Sequence, residues 1–214
     1  MADEKILQAV KEAIEKAPER KFVESIELAI NLKDVDLSNP KNRLTEEIIL
    51  PHGRGRDVKI GIFATPEMRE KAKDIADLMI PPEEISTMKD EKAETKKKVS
   101  DIDFFIAEAP LMAQVGKNLG VILGPRGKMP RPVPPGADPS GIISNLRSTV
   151  KLRTKDRRTF HVAVGTRTMD PEKIAENIEA VVSRVRSKLE RGVMNIHSAY
   201  VKTTMGPAIK LELR

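Results

Sequence analysis

The chain has 214 residues, enough for one large domain or two small ones with a real core, and no cysteine, which excludes a disulfide framework and thiol catalysis. Lys and Arg number 38 against 32 Asp and Glu, a net charge of +6 that suits a polyanionic partner. His52, His161 and His197 without a cysteine argue against a zinc site, and no apolar run approaches the ~20 residues of a membrane span.

The opening MADEKILQAV is acidic and amphipathic, unlike a signal peptide, so the expectation is a soluble, cytoplasmic protein in a reducing compartment. Charged residues at 33% also suit a thermophile. Ile6, Leu7, Val10 and Ile14 lie on one helical stripe, which predicts a helix from Asp3 to Ala17, stopped by Pro18. Phe22 to Leu32 alternates as a half-buried strand, with Ile26, Leu28, Ile30 and Leu32 on one face and Ser25, Glu27 and Asn31 on the other. The turn-rich KDVDLSNPKNR precedes a short strand at Glu47 to Leu50.

PHGRGRD (51–57) breaks the chain, and the character changes after it. VKIGIFAT predicts an apolar strand, followed by a helix from Pro66 to Met79. The Lys-rich KDEKAETKKKV, the strand DFFIAEA and the helical PLMAQVGKNL follow. This is the rhythm of a small parallel α/β sheet. From Leu123 to Gly141 the density of Pro and Gly predicts an ordered, irregular loop.

From Ser148 the first pattern returns. TVKLRT and TFHVAV alternate around Lys155-Asp156-Arg157-Arg158 and predict a hairpin. Asp170-Pro171 is a helix start, and Ile174, Ile178, Val181, Val182, Val185 and Leu189 trace the helix stripe. The last segment, AYVKTTMGPAIKLEL (199–213), alternates, breaks at Thr204-Met205-Gly206-Pro207, and resumes in the same parity, as one interrupted strand. The economical architecture is an antiparallel α+β domain formed by both termini (1–53 plus 148–214), with a parallel α/β domain (54–147) inserted into it.

A parallel α/β domain invites a nucleotide reading, but the motifs are missing. VKIGIFAT runs into PEMRE without the glycines that let a backbone approach a pyrophosphate. The phosphate-loop pattern fails at Gly127-Lys128, where Ile122 and Met129 occupy the required Gly and Ser/Thr positions. No G-x-S-x-G elbow is present, and Glu83-Glu84, Asp101 and Asp103 read as solvated surface. No enzyme, cofactor or metal is expected.

The cations are more informative. Arg147, Lys151, Arg153, Lys155, Arg157 and Arg158 crowd the expected hairpin, with Lys151 and Arg153 on its solvent face; they contact phosphate or guard a strand edge against aggregation. Arg126, Lys128 and Arg131 in the Gly/Pro loop are phosphate contacts or solvated charges. AETKKKV reads as a solvated helix face. Phe22 is either the first core residue of its strand or an exposed stacking group beside Lys21. Glu27 faces solvent, where it can accept from a guanine edge or a ribose hydroxyl. Aromatics make up only 3% of the chain, with Tyr200 the sole tyrosine, so an RNA partner would be read through backbone and shape rather than a stacking platform.

VKTTMGPAIKL (201–211) resembles the Thr-Met-Gly-Pro signature of the ribosomal protein L-one family, proteins of the mobile stalk of the large ribosomal subunit. GKNLGVILGPRGKMP (116–130) resembles that family's second signature, and KFVESIEL and LPHGRGR resemble its N-terminal motifs. The likeness spans the whole chain in order, and LSNPKNR is similar to the archaeal branch. The resemblance implies a two-domain ribosomal protein whose first domain binds large-subunit ribosomal RNA and whose inserted domain is Rossmann-like in topology but lacks nucleotide chemistry. It implies a stalk that releases exit-site tRNA, a repressor role on the protein's own mRNA, and a monomer when free of the ribosome. It places RNA contacts at Phe22, Glu27, Ser198, Thr204, Met205 and Gly206, with Lys21 and Arg153 beside them. Parity alone would turn Met205 inward, so its contact role rests on the resemblance and on the strand breaking there. Gly206 is expected to present bare backbone to a ribose. Where bacterial members carry an acidic residue shortly after the position of Arg153, this chain has Lys155-Asp156, and Asp156 is not included in the set. The rival readings are a nucleotide-dependent enzyme built on the middle domain and a purely structural partner of other proteins.

Overall fold

The structure, a computed structural model, describes residues 3–39, 42–154 and 157–213. The chain divides into two compact units, Met1–Arg56 with Ser148–Arg214, and Asp57–Arg147. Lys155 and Asp156 of the basic loop, and Pro40 and Lys41 of the turn-rich stretch, lie outside the described residues.

The first unit contains helices α1 (Glu4–Glu15) and α7 (Pro171–Lys188) and strands β1 (Ser25–Leu32), β8 (Thr159–Thr166), β9 (Ile196–Thr203) and β10 (Ile209–Leu211). The strands form one sheet in the order β10-β9-β1-β8, antiparallel throughout. Both helices start as their sequences predict. The carboxylates of Asp3 and Asp170 accept from the N–H groups of Lys5 and Glu172, satisfying donors the helix cannot. The expected stripe of α7 is buried, as are Ile6, Ala9, Val10 and Ala13 of α1. They form one core with Ile26, Leu28 and Ile30 of β1, Val162 and Val164 of β8, and Ala199 and Val201 of β9. Truncating a residue such as Ile178 to alanine would cost about 2–5 kcal/mol.

Two expectations for this unit need correction. The C-terminal segment is not one interrupted strand but a hairpin. β10 folds back on β9 with Ile209 opposite Val201 and Leu211 opposite Ala199, and the Gly-Pro stretch is its turn. Nor do TVKLRT and TFHVAV pair with each other. β7 (Thr149–Arg153) pairs along its whole length with β2 (Thr45–Ile49) in a separate two-stranded sheet, and β8 pairs with β1. Val150, Leu152 and Ile48 join the same core, so the small sheet buries its apolar side there.

In the second unit β3 (Ile60–Phe63), β4 (Leu78–Ile80), β5 (Phe104–Glu108) and β6 (Arg131–Val133) form a parallel sheet in the order β4-β3-β5-β6. Helices α2 (Pro66–Ala72) and α6 (Ser140–Arg147) supply one core, with Met68, Ala72, Ile143 and Leu146 against Ile60, Ile62, Phe104 and Ile106. Helices α3 (Glu84–Asp90), α4 (Lys92–Ser100) and α5 (Met112–Leu123) supply another, with Ile85, Met88, Val99, Val115 and Leu119 packed against Phe63 and Phe105. The expected α+β and α/β classes are both present. The predicted helix from Pro66 stops at Ala72, and β4 occupies its expected end. The Gly/Pro stretch after Leu123 contains β6 and leads into α6.

Candidate nucleic-acid interface

Helices cover one face of the four-stranded sheet; the other carries the residues of opposite parity. Cross-strand register sets them in rows. Glu27 faces Lys202 on β9 and Ala163 on β8. Ala29 lies between Tyr200 and His161, and Lys210 continues that row on β10. Asn31 lies between Ser198 and Thr159, donating from Nδ2 to Ser198 Oγ at 2.8 Å while its Oδ1 accepts from Thr159 Oγ1 at 2.7 Å. The face therefore offers hydroxyls, an amide, a carboxylate and two lysines, together with the rings of Tyr200 and His161.

At the Ser25 end of this face lies the β9–β10 turn. Thr203 is fully buried, and with it β9 ends, so strand parity no longer applies to Met205, which is 59% exposed. Lys21 and Phe22 lie outside the strand, which begins at Ser25, and Phe22 is 53% exposed rather than a core residue. Thr204 is tied to Ser25: its N–H donates to Ser25 O at 3.0 Å. Gly206 is closely packed within the protein. A Cβ there would meet Thr203 Oγ1 at 2.4 Å and the Cβ of Ala17 at 3.2 Å, so the fold itself leaves no room for a side chain.

One residue beneath the turn escaped the sequence reading. Glu24 has no exposed surface, and its Oε1 accepts from Met205 N–H at 2.9 Å and from Thr203 Oγ1 at 3.2 Å. Its other oxygen lies 3.5 Å from Arg167 Nη1. The signal was available. Glu24 shares the inward parity of Ile26 and Leu28, and a carboxylate on an apolar face requires buried partners.

The structure thus brings Lys21, Phe22, Thr204, Met205 and Gly206 to one end of the sheet, with Glu27 next along β1. Ser198, opposite Asn31, is displaced toward the other end, roughly 20 Å away along β1 at ~3.3 Å per residue. Arg153 is exposed on β7 opposite Thr45, in the small sheet, and so is not part of this face. Several other cations have partners within the fold. Lys151 pairs with Glu47 across β2–β7 at 3.8 Å, and Arg147 donates to Ile75 O at 2.8 Å. Lys128 donates from Nζ to Val99 O at 2.8 Å and Ser100 O at 2.9 Å, capping α4 instead of presenting a free charge. Burial pushes its ammonium below the ordinary range; Asp103 opposes that shift, Arg126 adds to it, and Asp101 opposes it.

The second unit offers the usual place for a nucleotide, where strand order reverses between β3 and β5 at their carboxyl ends. Glu108 fills it. Its side chain is 3% exposed, and Oε1 accepts from both Thr65 N–H (3.1 Å) and Thr65 Oγ1 (2.7 Å) at the start of α2. The two Thr65 donors that could meet a phosphate are already bound to an acidic group. Among the described residues no His, Asp and Glu cluster could hold a metal ion, and no helix is long and apolar enough to cross a membrane.

The sequence model of the Ribosomal protein L1p/L10e family matches residues 10–207. The chain belongs to this family. Its relatives include proteins named large ribosomal subunit protein uL1. That of Thermoplasma acidophilum is 57% identical over 207 residues, covering 97% of this chain and 95% of that one. That of Methanocella arvoryzae is 51% identical over 99% of this chain and 100% of its own, and that of Archaeoglobus fulgidus 47% identical over 97% of each. These archaeal relatives agree with the reading of LSNPKNR. In this L1p/L10e family member the Thr-Met-Gly-Pro signature forms the β9–β10 turn. The second signature forms α5 from Gly116 onward, burying Leu119, Ile122 and Leu123, and the loop that carries Lys128.

Proposed function

We propose that the chain is a structural, non-enzymatic protein of the large ribosomal subunit that docks ribosomal RNA on the open face of its four-stranded sheet and on the β9–β10 turn. The observation that carries this reading is the helix-free sheet face, whose Glu27, Ser198, Lys202 and Lys210 run into a turn flanked by exposed Phe22 and Met205. Hydroxyls, an amide and a carboxylate on a rigid sheet suit ribose hydroxyls and base edges of a structured RNA, and the lysines supply the salt-sensitive phosphate term. Lys21, Phe22, Glu27, Ser198, Thr204, Met205 and Gly206 are assigned to this contact, with Arg153 reaching RNA from the neighbouring small sheet. The family and its uL1-named relatives support a place on the cytoplasmic ribosome. Release of exit-site tRNA and repression of the protein's own mRNA complete the reading, the latter by docking a similar RNA structure on the same surface. The boundaries 1–53 plus 148–214 and 54–147 are proposed as its RNA-docking and inserted domains, and the free protein as a monomer.

Filter binding to a stalk fragment of archaeal large-subunit ribosomal RNA tests this. Affinity on the order of a hundredfold above that for a scrambled hairpin of equal length, falling steeply with salt, is expected. Equal affinity for the two RNAs sinks the reading. The nucleotide-enzyme rival is disfavoured by the Glu108–Thr65 contact, and protection of the protein against heat by ATP, GTP or a dinucleotide would revive it.

A further inference from the structure

We infer that Glu24 is the positioning residue of this interface: its buried carboxylate holds the β9–β10 turn in the shape that presents Met205, and Arg167 holds Glu24. The inference rests on the RNA-docking reading above and adds to it the group that sets the geometry of the docking surface.

Within the hairpin the turn has few contacts of its own, one of them Lys202 Nζ donating to Thr204 O at 3.2 Å. Its internal backbone bond, Gly206 N–H to Thr203 O, is long at 3.4 Å. The amide of Met205 instead donates 2.9 Å to Glu24, which comes from the other end of the chain. Glu24 divides its oxygens. Oε1 takes the turn through Met205 N–H and the Thr203 hydroxyl, while Oε2 faces Arg167. Arg167 is itself oriented. Its own N–H donates to Glu24 O at 2.9 Å, Nη1 to Pro18 O at 3.0 Å and Nη2 to Ala17 O at 3.2 Å. Ala17 is also the residue against which Gly206 packs. The exit of α1, the start of β1, the end of β8 and the β9–β10 turn therefore meet around the Glu24–Arg167 pair.

Above this polar centre sits an apolar rim. Phe22, Val23 and Met205 are 53%, 59% and 59% exposed, and the first two immediately precede Glu24. A fully buried carboxylate is costly unless every partner is in place, so the arrangement has one low-energy geometry. A turn fixed before RNA arrives does not have to be ordered on binding, and affinity gains accordingly.

The test uses the full chain, the stalk ribosomal RNA fragment, and hydrogen exchange of the Met205 amide in the free protein. Glu24→Ala is expected to speed that exchange and to weaken RNA binding, each by about tenfold. Glu24→Gln keeps an oxygen for the amide and recovers part of both. Val185→Ala, a buried change in α7 remote from the turn, serves as the control for lost stability and is expected to leave affinity within about twofold. Unchanged Met205 exchange in Glu24→Ala, or an affinity loss no greater than that of Val185→Ala at equal destabilisation, overturns the inference. If Glu24→Ala does not fold, Glu24→Gln decides. Exchange and affinity each shifted by about threefold support the role, and both unchanged overturn it. Wild-type protein that fails to distinguish the stalk fragment defeats the docking reading alone, because the exchange measurement needs no RNA.

Discussion

Thr204 and Ser25 exchange hydrogen bonds in both directions across 179 positions of sequence: Ser25 N–H donates to Thr204 Oγ1 at 3.2 Å, and Thr204 Oγ1 lies 3.3 Å from the Ser25 carbonyl it donates to. Together with the Thr204 N–H bond to the same carbonyl, this fastens the β9–β10 turn to the first residue of β1. Thr204→Val keeps the shape but strands the Ser25 N–H. Urea denaturation should show a loss of about 1–2 kcal/mol, whereas Thr204→Ser, which keeps the hydroxyl, should lose less than half of that.

Gly206→Ala is expected to destabilise by about 1–3 kcal/mol, because its Cβ would lie 2.4 Å from Thr203 Oγ1. Thr203→Ala removes that oxygen. The double variant should therefore be more stable than the sum of the two single losses predicts, by about 0.5 kcal/mol or more, in a double-mutant cycle read by thermal unfolding.

Glu46 on β2 sits between Arg184 and Lys188 of α7, at 2.7 Å and 3.0 Å. Its hydrogen bond to Lys188 leads the causes that hold its carboxyl below the ordinary value of 4.5, with burial opposing and Arg184 assisting. A carboxylate whose folded value is depressed contributes stability above its unfolded value and loses that contribution as the pH falls through the folded one. Wild type should thus exceed Glu46→Gln by about 0.5–1 kcal/mol at pH 7, and the gap should close as the pH drops below 4.5. A gap independent of pH would assign the effect to packing.

Lys128→Met should cost about 1 kcal/mol through the carbonyls it caps at the end of α4, while leaving affinity for the stalk RNA fragment within about twofold. A loss of affinity comparable to that of Lys202→Ala would return Lys128 to the set of phosphate contacts.

Parity carried much of the reading of the first unit. It sorted Ile26, Leu28 and Ile30 from Ser25, Glu27 and Asn31, and it placed Ser198 on the uncovered face. It could not reveal the C-terminal hairpin. Directly opposed residues of an antiparallel pair point to the same side, and Val201 lies opposite Ile209, so odd numbers face inward whether the chain continues or reverses. The proline at 207, which cannot donate to a ladder, was the better clue. In the second unit β4 and β6 have three residues each, too few for any period to show. Arg167 was out of reach for another reason. Its partners at Ala17, Pro18 and Glu24 are some 150 positions away, and nothing local to Arg167 announces them.

The contact between Glu108 and Thr65 has a consequence for the inserted unit as a piece of chemistry. A sheet of this topology elsewhere waits for an anion to complete it and becomes more stable when the anion arrives. Here the group that meets the Thr65 donors is a side chain, present at a fixed ratio of one and impossible to wash out. The unit carries its own partner for the Thr65 donors, and its melting temperature is expected to stay unchanged when ATP, GTP or a dinucleotide is added.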